Sequence, residues 1–310
     1  MTTSSPTPLA WALLCLLGLI WGGSFLGVEM ALTGFGPLTV AALRITTAAI
    51  ILVTVAMMRG DGLPPRSSDR GRRIWLHCLG MAVFSNALPF SLLSWGQEHV
   101  TSGYAGITMA VVPLLVLPLA HFFVPGETLT TRKAIGFAVG FFGVVLLTGP
   151  GAVIGATDDD LVGLARLACV TASASYACGA IITRLAPSGP FLSFAAAGLL
   201  LASCLIVPVA LAVEGVPDRP DLPALLGVLY LGVFPTALAT FILVYVIQSA
   251  GPSFMSLVNY QVPVWAVLIG MVVLNETLPP QFIGALALIL AGLAISQARR
   301  PRQSTRLNDP

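Results

Sequence analysis

Charge is what this chain of 310 residues has least of: Asp, Glu, Lys and Arg together make up 9% of it. An ordinary soluble domain carries about 25%. Hydrophobic residues make up 56% of the chain. A water-soluble protein of this size cannot hide so much apolar surface, because a folded surface needs polar cover, so a soluble enzyme is excluded. Thiol and metal chemistry are poorly supplied. Cys15, Cys78, Cys169, Cys178 and Cys204 fall inside apolar runs without C-x-x-C spacing, and they read as small packing residues. His77, His99 and His121 each lie near a span end, apart from one another, so no metal or other cofactor is expected. Neither H-E-x-x-H nor G-x-S-x-G occurs, which leaves an intramembrane enzyme without its constellation. Rings of like charge are also missing, which speaks against a channel. No carboxylate stands in the middle of an apolar run, so a dedicated proton relay lacks its residue, although His99 beside Glu98 keeps proton coupling open. The net charge of +2 comes from basic residues in short loops and at the C-terminus, not from a nucleic-acid stripe.

What is present is a succession of long apolar runs. A bilayer core of about 30 Å needs about 20 apolar residues as helix. Ten candidate spans are read near 9–30, 37–58, 74–96, 101–123, 131–148, 161–183, 191–213, 223–246, 253–273 and 281–298. The leader MTTSSPTP lacks a basic start and the run after it is long, so the first is read as a span and not as a cleaved signal. With the N-terminus inside, the inner loops and tail hold twelve of the fifteen Lys and Arg: Arg59, Arg66, Arg70, Arg72, Arg73, Arg132, Lys133, Arg184, Arg299, Arg300, Arg302 and Arg306. The outer loops hold Arg219 alone, together with Asp158, Asp159, Asp160, Glu214, Asp218 and Asp221, while Arg44 and Arg166 fall within spans. The positive-inside rule then places both termini in the cytoplasm.

The two halves repeat each other. GETLTTRKAIG (126–136) recurs as NETLPPQFIG (275–284), with Pro113 before Glu127 and Pro263 before Glu276. Trp95 precedes Pro113 by 18 residues and Tyr245 precedes Pro263 by the same 18. Phe84 and Phe234 keep an offset of 150, and Trp21 in WGGSFLGVE matches Tyr176 in YACGAIITR. Each half holds five spans, and five is odd, so the second half enters the membrane inverted. The expected fold is an all-α polytopic membrane protein: ten transmembrane helices as two inverted five-helix repeats, 9–148 and 161–298, followed by a basic tail, 299–310. Inverted repeats are characteristic of secondary transporters, with the substrate site at the repeat interface near the midplane.

Polar groups within a membrane are expensive, so each asks for a reason. Asn86 lies three residues before Pro89, and its repeat partner Thr236 stands beside Pro235. Prolines free carbonyls and bend helices, so these matched polar positions suit a midplane site. An interhelical hydrogen bond that only packs the bundle is the other reading. Asn259, Tyr260 and Gln261 precede Pro263. Three successive residues cover about 300° of a helix, so at least one, Asn259 or Gln261, faces inward. Tyr104, Thr108 and Met109 would supply the other end of the pocket, and Trp21 and Tyr176 its aromatic walls. Glu127 and Glu276 are expected to cap the helices that come after them. Gly136, Gly140 and Gly143 with Gly284, Ala287 and Ala291 suit close packing of the fifth and tenth spans.

These features resemble the drug/metabolite transporter superfamily, specifically its ten-helix type with two EamA repeats. The resemblance rests on W-G-x-S-F (Trp21, Gly22, Ser24, Phe25), A-x-L-R (Ala41 to Arg44) and the proline-to-G-E-x-L segment closing each half, over about residues 9–297. It implies an inner-membrane transporter of small metabolites, an exporter of amino acids or related compounds, with a proton-coupled drug or metabolite antiporter as the alternative. Partners are then a small-molecule substrate and the lipid bilayer, with the protein a monomer or homodimer. Ser24 joins the candidate substrate site by this resemblance. Arg44, roughly 10 Å into its span, costs up to roughly 3 kcal/mol unless paired or snorkelling. Glu29 and Glu98 are candidate partners, and a substrate carboxylate is the other reading. Because the family carries this arginine with many substrates, a structural pair is expected. Ala197 stands at its counterpart in the second half, so any pocket is asymmetric.

Overall fold

The computed structural model describes residues 6–149, 160–217 and 220–297. The tail 299–310, Asp158, Asp159, Asp218 and Arg219 lie outside the described residues, as does the end of the tenth span at 298. Every regular element among the described residues is helical. The spans are α1 (Pro8–Leu32), α2 (Pro37–Met58), α3 (Asp69–Gln97), α4 (Ser102–Phe123), α5 (Thr131–Thr148), α6 (Leu161–Leu185), α7 (Phe191–Val213), α8 (Leu222–Ala250), α9 (Pro252–Met255 and Val258–Val273) and α10 (Pro280–Gln297). All but α9 are individually long and apolar enough to cross a bilayer. Large apolar side chains such as Ile50, Phe122 and Phe142 are exposed, as a lipid-facing surface requires and a water-facing one does not tolerate in such numbers.

The starts obey local chemistry. Thr7, Ser68, Thr101, Thr130 and Asp221 each accept a backbone N–H in the first turn of α1, α3, α4, α5 and α8, which satisfies an otherwise free donor. Gly-Pro pairs open α2 and precede α7 (Gly36–Pro37, Gly189–Pro190), and Pro fits the first helical position because its missing N–H is not needed there. Ser68 accounts for α3 beginning at Asp69 and not near 74.

Five helices are interrupted. α1 breaks at Gly23, α4 tightens over Met109–Val111 just before Pro113, and α9 breaks between Met255 and Val258. α3 and α8 widen into π-helical turns at Ala82–Ala87 and Gly232–Leu238, beginning at matched positions, 82 and 232. There the side chain of Asn86 donates to the carbonyl of Met81 (3.1 Å), and Thr236 donates to that of Leu231 (2.8 Å). Both reach the carbonyl five residues back, so the matched residues answer the same backbone need.

Interloop hydrogen bonds define two ends. Arg70 donates to Ser188 and Arg184 pairs with Glu127, which brings the α2–α3, α4–α5 and α6–α7 connections together on a basic face. Glu214 meets Leu38 and Thr39, Thr33 meets Asp221, and Glu276 meets Ser102, which places the α1–α2, α3–α4, α7–α8 and α9–α10 connections on an acidic face. Between them α2 packs along α7, α1 and α4 along α9, α3 along α6 and α5 along α10.

The α5–α10 seam lies one residue from the expected register. A Cβ on Gly136 would fall 2.5 Å from the carbonyl oxygen of Gly292, and one on Gly292 would fall 2.5 Å from Gly136 O and Gly140 N. The α10 face in the seam is Ala285, Ile289, Gly292 and Ser296, whereas Gly284, Ala287 and Ala291 are exposed and a Cβ on Gly284 would meet nothing. Apolar residues lie all round α10, so composition could not single out which small-residue row was inside. Gly292→Val should therefore destabilise the purified protein by about 1–3 kcal/mol, as overpacking does, while Gly284→Val should stay within about 0.5 kcal/mol. Thermal unfolding in detergent compares the two, and equal melting shifts would contradict this register.

Candidate functional site

A cavity of about 440 Å³ lies at the centre of the bundle, lined from α1, α2, α3, α4, α6, α8 and α9. All five interrupted helices reach it, and α5, α7 and α10 do not. Irregular backbone is tolerated at membrane depth where it is enclosed by protein or borders a cavity. The volume is that of a small-ligand pocket, ~300–1,000 Å³.

Trp21, Ser24, Asn86, Tyr176, Thr236 and Asn259 line this space. Trp21 donates its indole N–H to the carbonyl of Pro235 (3.0 Å), across from the first half to the second. Ser24 donates to Trp21 O (2.7 Å). Of the three polar residues before Pro263, Asn259 turns to the cavity, while Gln261 packs against Gly18 of α1 and Tyr260 against the surrounding apolar core. Tyr104 and Thr108 do not reach the cavity. The Tyr104 ring is fully buried against Phe282 (centroids 5.3 Å), and Thr108 bonds to Ala105 O. Met109 does line it: five residues on from Tyr104, it points about 140° away around the helix. Pro89, Pro113 and Pro263 sit at or just after helix irregularities or within α9, outside the lining.

Phe90, Leu93 and Gln97 also line the cavity and were not anticipated. With Asn86 they fall at i, i+4, i+7 and i+11, one face of a helix, so that periodicity was the available signal. Gln97 donates to Phe25 O (2.9 Å), and its Oε1 is buried with no partner among the described residues.

Arg44 departs from its expected role. It is only 7% exposed, and neither Glu29 nor Glu98 pairs with it among the described residues. Its Nε donates to Thr236 Oγ1 (3.0 Å) and its guanidinium carbon stands 3.7 Å from the centre of the Phe90 ring. The guanidinium is turned into the cavity and held by a hydroxyl and an aromatic face.

Glu127 and Glu276 do not cap the helices next in the chain. Each stands four residues before its next helix begins, with three residues between, and α5 already has Thr130 while α10 starts on Pro280. Glu276 instead accepts the N–H groups of Ser102 (2.7 Å) and Gly103 (3.0 Å) at the start of α4. The seat exists because residues 103 and 270 are glycine: a Cβ on Gly270 would strike the carboxylate. Glu214 does the same for α2, accepting from Leu38 N (2.8 Å), Thr39 N (2.8 Å) and Thr39 Oγ1 (2.6 Å). Sequence matching links these clamps to the other face. Asp61-Gly-Leu-Pro corresponds to Glu214-Gly-Val-Pro, and Gly189–Pro190 to Gly36–Pro37. Asp61 faces the start of α7 across a cleft of about 340 Å³ bordered by Phe191 and Ser193, with no hydrogen bond to it among the described residues. Glu127 pairs with Arg184 (2.6 Å) and Lys133 (3.3 Å). Hydrogen bonds from Arg184 and then Lys133 hold its carboxyl below the usual carboxylate range.

The sequence matches the EamA-like transporter family over residues 9–149 and 163–297. It is 27% identical to the inner membrane transporter YedA of Escherichia coli (strain K12), over 87% of this chain and 84% of that one. Protein PecM of Dickeya dadantii is also 27% identical, over 90% and 89% of the two chains. A protein of Streptantibioticus cattleyicolor named as a probable terminal-alkyne amino-acid exporter is 27% identical over 93% of each. A solved crystal structure superposes with a TM-score of 0.64 at 20% identity, covering 93% of this chain and 96% of that one, which speaks to the fold alone. A polytopic helical bundle with a central cavity, matched along nearly its whole length by relatives named as transporters, is a membrane transporter, and the chain belongs to the EamA-like transporter family.

Proposed function

We infer that the protein is a secondary carrier that moves small metabolites across the inner membrane by alternating access, in the export direction, with amino acids or related compounds as the solute class. The solute class draws support from the relative named as an amino-acid exporter. The basic face is cytoplasmic in this reading, by the positive-inside rule, and residues 9–148 and 161–298 are the two inverted repeats.

The observation that carries the reading is the mismatch between matched ends. On the acidic face, carboxylates of the second half hold the starts of α2 and α4 in charge-assisted hydrogen bonds. Among the described residues, their counterparts in the first half, Asp61 and Glu127, make no hydrogen bond to the starts of α7 and α9, Asp61 bordering a cleft and Glu127 pairing with Arg184 instead. Two similar halves of opposite orientation reach a second state by exchanging conformations. In that state Asp61 caps α7, Glu127 leaves Arg184 for the start of α9, and Glu214 and Glu276 let go. α2/α7 and α4/α9 act as two antiparallel pairs, each closed at one end at a time around the cavity.

Cross-linking across the closed acidic face tests the cycle. With the native cysteines removed, a short thiol cross-link between T39C and E214C should abolish counterflow in proteoliposomes, and reduction should restore it; undiminished flux at complete cross-linking would end the alternating-access reading.

Trp21→Ala and Asn86→Ala should abolish flux or change the solute preference while membrane expression stays at the wild-type level. Unaltered flux at matched expression would remove these residues from the site.

The Glu127–Arg184 pair has its own signature. Because the folded carboxyl is held below its unfolded value of about 4.3, the pair stabilises the protein above that value and is lost as pH falls through the lower folded value. Partial exposure limits it to about 1 kcal/mol or less. Thermal stability of the wild type and Arg184→Ala should differ at pH 6, and the difference should shrink as the pH is lowered through the acid range. A difference independent of pH would assign the arginine another role.

A further inference from the structure

The ionisable groups around the central cavity are unevenly supplied. Arg44 is the one residue among its described lining that carries a full charge at neutral pH; no Asp, Glu or Lys borders the space. Its Nε is committed to Thr236 and one guanidinium face to Phe90. Among the described residues, Nη1 and Nη2 have no hydrogen-bond partner and no carboxylate in ion-pair range. Neither belongs to the sealed, unpartnered buried atoms, which are Gln97 Oε1, Ser102 Oγ, Tyr104 Oη and Arg166 Nε. Two donors of a fixed, planar fork therefore open into the cavity.

A buried cation left without an anion is costly, and pairing it in a low-dielectric site is strongly favoured over leaving it alone. The fork matches a carboxylate bidentately. Holding Nε and the ring face in place fixes the plane of approach before any ligand arrives, which lowers the ordering cost of binding. Around it stand the apolar and aromatic surfaces of Trp21, Phe90 and Tyr176. A free ammonium would bring a second positive charge beside Arg44 and find no carboxylate.

We propose that the cavity selects solutes of net charge −1: a carboxylate on the Arg44 fork and an apolar or aromatic body against Trp21, Phe90 and Tyr176. Organic acids and amino acids whose amino group is masked, as by acylation, fit this description, and free zwitterions fit it less well. The assignment rests on the cavity being the carrier's binding site and narrows what that site accepts.

Four compounds on one skeleton separate the charges: N-acetylphenylalanine (−1), phenylalanine (zwitterion), N-acetylphenylalaninamide (neutral) and phenylalaninamide (+1). Equilibrium binding to the full-length protein in lipid nanodiscs should favour N-acetylphenylalanine by about tenfold or more over each of the others. Arg44→Gln should remove that preference, and Arg44→Lys should keep only part of it. Equal or tighter binding of phenylalanine or of either amide, binding by none of the four, or an unchanged preference in Arg44→Gln would overturn the assignment. If Arg44→Gln fails to fold, the wild-type order decides alone. Proteoliposome counterflow keeps the two ideas apart. Saturable flux of the neutral or cationic compound without N-acetylphenylalanine overturns the charge assignment and leaves the carrier standing. No saturable flux of the four, or of any solute in a pooled cell extract, overturns the carrier.

Discussion

Lipid offers no hydrogen bonds, and that constraint shapes everything this protein does with its backbone. A broken or widened helix in hydrocarbon strands polar groups that water cannot reach. Here the breaks among the described residues are confined to helices that line the cavity. Gly23, the turn at Met109–Val111, the gap in α9 and the two π-helical turns all belong to helices that border one central space. The same economy governs the ends. Helix starts at the acidic face bring free N–H groups close to carboxylates from the opposite half, so what a soluble protein would leave to water becomes a contact between repeats.

Within that frame the two halves are alike in scaffold and unlike in lining. The π-helical turns coincide in position, and Asn86 and Thr236 serve them in the same way. At the next level the likeness stops: Trp21 has Tyr176 as its counterpart, and Arg44 has Ala197. Thr236 then has two tasks, donating to its own backbone and accepting from the arginine of the other half. The matched elements can serve motion while the unmatched ones serve recognition, because they are different atoms on the same helices.

How much could be read before the structure depended on the kind of signal. Span number and span limits were legible, since hydrophobic length is set by the bilayer and the caps are local. The sides of the cavity were legible where a polar residue stood against an apolar background, as with Trp21, Asn86, Thr236 and Asn259. Tyr104, Thr108, Tyr260 and Gln261 were misplaced because neighbours along a helix point about 100° apart, so one residue of each cluster, Met109 in one and Asn259 in the other, turns to the cavity while the rest pack elsewhere. The partners of Arg44 and Glu276 were illegible for another reason. Each is met by groups far away in sequence, a hydroxyl and a ring in one case and two backbone N–H groups in the other. The small-residue row of α10 was shifted by one because α10 is apolar on every side.

The widened turns in α3 and α8 carry one more implication. An ordinary transmembrane helix resists bending because flexing it opens carbonyls to hydrocarbon. At Met81 and Leu231 those carbonyls already hold a side-chain donor of their own, so flexure there uncovers nothing new. The two donors, one amide and one hydroxyl, both stand at the wall of the cavity, within reach of a solute bound there. The side chains that satisfy the widened turns are thus also side chains of the cavity wall.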